Sequence, residues 1–374
     1  MAEAEIFGAE PQTDSQANES NADKILQEAI ERSNQIEADI SVNPKKYRVL
    51  TGDRPTGRLH IGHYFGSLQN RVRLSKMGVP TMILIADYQV LTDHDAFDQI
   101  SQNTKQLVID YLAAGIEPSD DVIIYPHSYV PECNQLMVPF LAMVSNGELS
   151  RNPTVKEEIL KSQTAVNAGM YTYPVHQACD ILFCKGNVVP VGKDQLPHLE
   201  IARLIAKRFN KKFCKGKDPV FPMPHALLAK TPMIMGLDGN KKMSKSMGNT
   251  VMLSATADET ATLIKKAKTD SERIITYDPV NRPEVANLLQ LISLCTKEDP
   301  AAIASRIGDG GSGVLKSTLT EALNENLRPL REKRAQLEKE PEYIRQVLLT
   351  GAEKARAIGI KTLEEVRSVM NMEI

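Results

Sequence analysis

Two short stretches of the chain carry the residue types that phosphate chemistry uses. The first, residues 51–63, reads TGDRPTGRLHIGH. A short strand at 47–51 (YRVLT) leads into a Pro/Gly turn and then a helix start. A helix N-terminus presents unpaired N–H groups and the positive end of the helix dipole, so it favours a phosphate. Gly62 removes a side chain where a nucleotide would come close. His60 and His63, three residues apart on one turn, point the same way and can donate to phosphate oxygens. A bare His-x-x-His would read as a turn with two surface histidines; the strand before it and the glycine inside it favour a nucleotide. The second stretch is Lys241-Lys242-Met243-Ser244-Lys245-Ser246, inside the Gly-rich segment 236–249. Mobile lysines suit a pyrophosphate leaving group, whose charge grows during displacement at an α-phosphate. Alone, such a run is usually a solvated basic loop.

These residues need a scaffold, and the surrounding pattern supplies one. After the strand at 47–51 comes a helix over about 59–77, a continuous apolar run at 80–86 (PTMILIA), a helix over 97–114 and a strand at 122–125 (VIIY). A further strand at 188–191 (VVPV) precedes a helix at 196–209. Apolar strands alternating with helices predict a parallel sheet wrapped by helices, a Rossmann-like α/β fold. From about Ala255 onward the chain is amphipathic helix to its end, broken by the Gly-rich turn at 308–313. In front of the α/β part, Leu26, Ala29, Ile30, Ser33, Ile36 and Ile40 mark one face of a helix over 22–40, with Ser20 or Asn21 as its cap. The expected organisation is an acidic disordered tail at 1–21, a helix and linker at 22–45, a catalytic domain at 46–253 and a helical region at 254–374.

Composition narrows the function classes. The 374 residues carry 45 basic and 47 acidic side chains, with 42% hydrophobic and 25% charged residues, an ordinary globular balance and not that of a disordered or fibrous chain. Residues 1–21 hold Glu3, Glu5, Glu10, Asp14 and Glu19 and no Lys or Arg, leaving the remainder slightly basic. A nucleic-acid partner would therefore bind through local patches. The five cysteines form no Cys-x-x-Cys pair, so no metal site is expected and the thiols read as free, in a reducing cytoplasm. No stretch approaches the roughly 18 apolar residues of a membrane span, and the acidic N-terminus is not a signal peptide.

Together, His-Ile-Gly-His and, about 180 residues later, Lys-Met-Ser-Lys-Ser resemble the two signatures of class I aminoacyl-tRNA synthetases. Pro55-Thr56-Gly57, Gly62-His63-Tyr64, Asn70, residues 178–182 (ACDIL), residues 189–195 (VPVGKDQ), His198, Glu200, Arg203, residues 265–271 (KKAKTDS) and Tyr277-Asp278-Pro279 resemble the tryptophanyl enzymes, from about Tyr47 to the C-terminus. The resemblance implies ATP-dependent activation of L-tryptophan, with Mg²⁺, and transfer to tRNA(Trp) by a homodimer. It makes His60, His63, Lys242 and Lys245 the catalytic groups. It places Arg54, Pro55, Thr56, Gly62, Gly192, Lys193, Asp194, Ile234, Met243, Ser244 and Ser246 with them around ATP, Gly192 and Asp194 at the ribose. Asp180, Tyr173, Gln177, Gln195 and Gln89 would hold tryptophan.

Asp180 lies in YPVHQACDILF (173–183), an apolar setting for a carboxylate; a surface helix acid or a cap is the commoner reading of such a residue. As a reader of indole it is chemically apt, because indole offers one donor and no acceptor. Tyr173-x-x-x-Gln177-x-x-Asp180 is also the pattern with which tyrosyl-tRNA synthetases hold their substrate, so tyrosine stands as an alternative. Gln177, where many tryptophan enzymes have Met, and Arg54, where Gln is common, depart from the family pattern. Two other readings are a nucleotidyltransferase that adenylylates small metabolites and a non-catalytic paralogue serving as a binding or regulatory protein. The helical region 254–340 would read the anticodon, with Lys265, Lys266, Lys268, Arg328, Arg331, Lys333 and Arg334 as candidate phosphate contacts. Residues 1–45 would touch a partner or the protein's own surface.

Overall fold

The computed structural model describes residues 15–92, 97–161, 167–229, 234–239, 243–245 and 247–374. Strands β1 (Val49–Asp53), β2 (Thr81–Ile85), β3 (Val122–Pro126), β4 (Val188–Val191) and β5 (His225–Leu228) form one parallel sheet in the order β3-β2-β1-β4-β5. The order reverses at β1, whose neighbours are β2 on one side and β4 on the other. A parallel sheet binds its ligands at the carboxyl ends of the strands flanking such a reversal. Here β1 pairs with β2 along its whole length, Val49 with Thr81 through Asp53 with Ile85. With β4 it pairs only at Val49 and Val188. The two central strands therefore separate toward their carboxyl ends, and the crevice opens there.

The helices on the sheet are α1 (Ser15–Ile40), α2 in three consecutive segments (Ile61–His63, Tyr64–Leu68 and Gln69–Lys76), α3 (Ile100–Ala113), α4 (Ala168–Phe183) and α5 (Leu196–Phe213). Every residue of β2 and β3 is buried, as their unbroken apolar runs require. Alternation along β2 sends Ile83 and Ile85 to one face, against Leu107 and Tyr111 of α3, and Met82 and Leu84 to the other, with Val175, Ala178 and Leu182 of α4.

Helices α6 (Ala257–Lys265), α7 (Pro283–Thr296), α8 (Pro300–Ile307) and α9 (Gly311–Leu337) share the first of these cores, through Ile264, Leu289, Ile303 and Leu319 among others. The last helix, α10 (Pro341–Met370), turns back onto the sheet and buries Ala352, Ala355, Leu363 and Val366 in the second core. It passes so close to β3 that a β-carbon on Gly351 would run into the Ile124 carbonyl.

Three details differ from the pattern read in the sequence. Helix α1 already begins at Ser15, so Ser20 and Asn21 lie inside it and residues 15–21 are helical; residues 1–14 of the acidic tail lie outside the described residues. Its apolar stripe packs on the body of the same chain, with Ile36 and Ile40 against Val49, Leu74, Val188 and Leu227. Strand β1 starts at Val49, because Tyr47 closes a 3₁₀ turn over Pro44–Lys46. Strand β5 has no counterpart among the expected strands.

Candidate active site

The crevice is a cavity of about 560 Å³. Its walls are the end of β1 (Leu50–Asp53), Arg54, Gly62 and His63 at the start of α2, Gly66, Ser67 and Arg71 further along it, Gln89, Tyr173, Gln177 and Asp180 of α4, and Val189–Gly192, Asp194 and Gln195 with His198.

The start of α2 is built by its two histidines. His60, extended at the N-cap, accepts the Gly62 N–H at Nδ1 (3.1 Å), and His63 Nδ1 accepts the His60 N–H (3.3 Å), a reciprocal cap. Their rings stand 3.8 Å apart. The division of labour differs from two imidazoles facing one phosphate: His60 is 6% exposed and braces the turn, while His63 lines the cavity. The next five residues, Tyr64–Leu68, take a π-turn, a widening often found at functional sites, and it sets Gly66 and Ser67 at the cavity wall.

The two signature segments meet. Ile61 donates its N–H to the Val251 carbonyl (2.9 Å), Leu253 to the Leu59 carbonyl (3.0 Å), and His60 forms an antiparallel bridge with Met252. Buried Met243 lies over Gly62, where a β-carbon would stand 3.3 Å from its Sδ. Lys245 Nζ donates to the Thr56 carbonyl (3.1 Å). Burial lowers the pKa of the Lys245 ammonium, while Asp110 and Asp53 pull it back up. The loop is pinned behind by Asn249, which accepts the Ser244 N–H (2.8 Å) and donates to Asp238 (3.0 Å). Lys242 and Ser246 lie outside the described residues.

On the other wall, Asp180 is 1% exposed, which removes the surface-acid and cap readings. Its Oδ1 accepts from His127 Nε2 (2.6 Å) and Cys133 Sγ (3.2 Å); among the described residues its Oδ2 has no hydrogen-bond partner. Burial pushes the carboxyl up, but His127 beside it, with His176 and the Cys133 thiol, holds it below its ordinary value. Tyr173 OH bonds His198 Nε2 (2.9 Å), and burial draws the His198 imidazole down to about 4. Gln195 donates to Asp194 (2.9 Å) at the exposed turn that Gly192 opens.

Residues 43–328 match the family model described as class I tRNA synthetases (W and Y). The chain belongs to this family. It is 39% identical to a tryptophan–tRNA ligase of Clostridium longisporum over 335 residues, covering 87% of this chain and 97% of that protein. It is 37% identical to one of Treponema pallidum over 345 residues, at 87% and 97% coverage. A crystal structure of tryptophanyl-tRNA synthetase from Campylobacter jejuni complexed with ADP and tryptophan superposes with a TM-score of 0.74 at 30% identity, covering 87% of this chain and 99% of that one.

Within this class I synthetase, Pro55 is buried under the signature turn and Ile234 is buried in the adjoining core; neither lines the cavity. Lys193 is exposed and also stands outside the lining. Three groups escaped sequence reasoning. Arg71, 4% exposed, forks onto Asp53 and the Gly52 carbonyl, and Tyr111 OH donates to the same Asp53 (2.6 Å). Burial pushes Asp53 up, yet the Arg71 guanidinium brings it to about 2. The signal was present: Arg71 sits between Leu68 and Leu74 at three-residue spacing, so a cation stands in an apolar stripe and needs a buried acid. His127 and Cys133 follow the fully buried β3, and nothing in their spacing ties them to Asp180. Among the candidate phosphate contacts, Arg334 is instead 3% exposed and paired with Asp110 and Gln106, so it is no phosphate contact.

Proposed function

We propose that this synthetase joins L-tryptophan to ATP as an adenylate, releasing pyrophosphate, and passes the aminoacyl group to tRNA(Trp). The observation that carries the reading is one cavity into which Arg54, Gly62 and His63 of the first signature and the buried Asp180 carboxylate open, with Lys245 of the second signature held against Thr56 of that turn. The relatives named as tryptophan–tRNA ligases support it. Tryptophan's carboxylate attacks the α-phosphate in line, and no protein nucleophile is needed; positioning and charge do the catalysis. The α2 N-terminus with Gly62 and His63 receives the phosphates, His60 bracing that turn. Lys245, with Lys242, stabilises the departing pyrophosphate. Gly192 and Asp194 take the ribose hydroxyls. Asp180 Oδ2 accepts the indole N–H, and Tyr173, Gln177, Gln195 and Gln89 surround the ammonium and carboxylate.

Mg²⁺ is placed on the nucleotide rather than on a protein cage. Among the described residues the one group of three closely set metal-ligand side chains is His127, His176 and Asp180, within 4.8 Å. That set is nitrogen-rich, with His127 and Asp180 buried, whereas Mg²⁺ prefers oxygen ligands and several waters. The metal therefore enters with the ATP phosphates as part of the substrate.

We assign anticodon reading to the helices of 254–340, with Lys265, Lys266, Lys268, Arg328, Arg331 and Lys333 as phosphate contacts. A homodimer would cover the groove of about 430 Å³ that Tyr88, Leu91 and Met137 border beside the active site. We place the enzyme in the cytoplasm. The test is amino-acid-dependent exchange of labelled pyrophosphate into ATP with tryptophan, tyrosine and phenylalanine. Tryptophan should drive it about 10⁴–10⁵-fold better by kcat/KM than phenylalanine, which leaves the buried carboxylate unpaired, and faster than tyrosine. Faster exchange with tyrosine, or none with any of the three, would overturn the reading.

A further inference from the structure

The substrate pocket contains a buried polar assembly behind Asp180 that the reaction above does not use. His127 leaves β3 through the turn His127–Tyr129 and is 2% exposed. Its ring is held on both sides, by Tyr88 (centroids 6.1 Å, stacked) and by His176 (4.8 Å). His176 is itself anchored by Asn134 Oδ1 at 2.8 Å from its Nε2. From this fixed position His127 Nε2 reaches Asp180 Oδ1 at 2.6 Å, and Cys133 Sγ reaches the same oxygen at 3.2 Å.

We propose that His127 is a positioning residue that sets Asp180 to read a donor-only ring, and so selects indole over phenol. The reading rests on the function proposed above. An ionised carboxylate can only accept, so the short bond requires a proton on His127 Nε2, and in the neutral ring Nδ1 is then a bare acceptor. That atom is buried without a partner among the described residues, as is Asp180 Oδ2. The donors that reach Asp180, the imidazole N–H and the thiol S–H, thus both point at Oδ1, and the oxygen left for the substrate is Oδ2. An indole N–H satisfies that oxygen and asks for nothing in return. A phenol O–H satisfies it too, but brings lone pairs for which neither donor remains, and a buried polar group left unpaired is unfavourable.

Three roles are open to these buried groups, and their geometry separates them. As a metal cage, His127, His176 and Asp180 would have to give up the His127–Asp180 and His176–Asn134 hydrogen bonds, both of good length, and move apart. As a redox device, Cys133, Cys179 and Cys184 are buried thiols whose pKa values burial pushes up, the opposite of a reactive cysteine. The positioning role requires no rearrangement of any group.

The experiment has a part that needs no substrate. Long-range ¹H–¹⁵N spectra of the intact protein should report the ring of His127 as the Nε2–H tautomer; the Nδ1–H form would overturn the proposal whatever the enzyme acts on. In pyrophosphate exchange, His127→Leu should raise KM for tryptophan 10–100-fold, leave KM for ATP within threefold, and narrow the preference for tryptophan over tyrosine at least tenfold. His127→Gln, whose amide can still donate, should recover most of that loss. An equal rise in both KM values with an unchanged tryptophan-to-tyrosine ratio would mean a merely structural histidine, and one zinc per chain in the purified protein, lost in His127→Leu, would mean a metal ligand. Failure of the wild-type protein to exchange with tryptophan would instead count against the function itself, leaving the tautomer result to stand or fall separately.

Discussion

His198 shows how the pocket's chemistry couples to stability at single residues. It is buried at the start of α5 with Nε2 on the Tyr173 hydroxyl, and burial lowers its imidazole from 6.5 to about 4. The unfolded chain takes up a proton near pH 6.5 that the native pocket refuses until much lower. The neutral form's contribution is therefore complete above pH 6.5 and is lost as the pH falls toward 4, about 3 kcal/mol in all. Asp180 adds to the same slope at the acid end. Its lowered carboxyl favours the fold above the ordinary carboxylate value, and that contribution is lost as the pH drops through the native one. Urea midpoints measured from pH 7.5 to 4.5 should fall steadily for the wild type and clearly less for His198→Gln. Parallel curves would show that His198 is not the group responsible.

At the scale of elements, close approach decides what each helix tolerates. Gly351 lets α10 lie against the Ile124 carbonyl of β3, whereas Gly313, in the first turn of α9, faces open space. Gly351→Ala should destabilise by about 1–3 kcal/mol through overpacking. Gly313→Ala should be neutral or stabilise by about 0.5–1 kcal/mol, because alanine has less backbone freedom to lose. Chemical denaturation of the pair checks both, and equal effects would contradict the docking of α10. The same closeness explains which elements the sequence disclosed. β2 and β3 are unbroken apolar runs because both their faces are buried, and they announce themselves. β5 is HALL, four residues without a β-branched side chain behind a proline-rich segment; it is a strand only because β4 and α1 hold it there. At the site, Gly62, His63 and Lys245 stood out as types at spacings that suit phosphate, whereas Asp180 was singled out only by the family resemblance. That His60 turns inward was not, because three-residue spacing describes a helix face while the cap places His60 just before the helix. The Arg71–Asp53–Tyr111 and His127–Asp180 contacts join residues 18 to 58 positions apart, which no local pattern encodes.

Across the whole molecule, one buried ion pair ties the helical half to the nucleotide half. Arg334 of α9 pairs with Asp110 of α3, and Asp110 Oδ2 accepts the Leu59 N–H (2.9 Å) just before the signature turn. Burial pushes the Asp110 carboxyl up, with Arg334 opposing it. Arg334→Met should cost about 3–5 kcal/mol, since it strands a buried carboxylate. The double variant Arg334→Met with Asp110→Asn should recover a substantial part of that, because a neutral pair has no orphaned charge. Additive losses in a double-mutant cycle would show that the two residues act independently.

The placement of α1 has a further consequence. His225 gives its N–H inward, to the Asn187 carbonyl, so the N–H of Leu228 looks outward from the sheet, and Ser33 Oγ receives it at 2.9 Å. An open parallel sheet ends in backbone groups onto which a strand from another molecule can be added, the route by which soluble chains polymerise. By lying along that border with a hydroxyl in register, the leading helix works as a selvedge, keeping the fabric of the sheet from being extended by its neighbours.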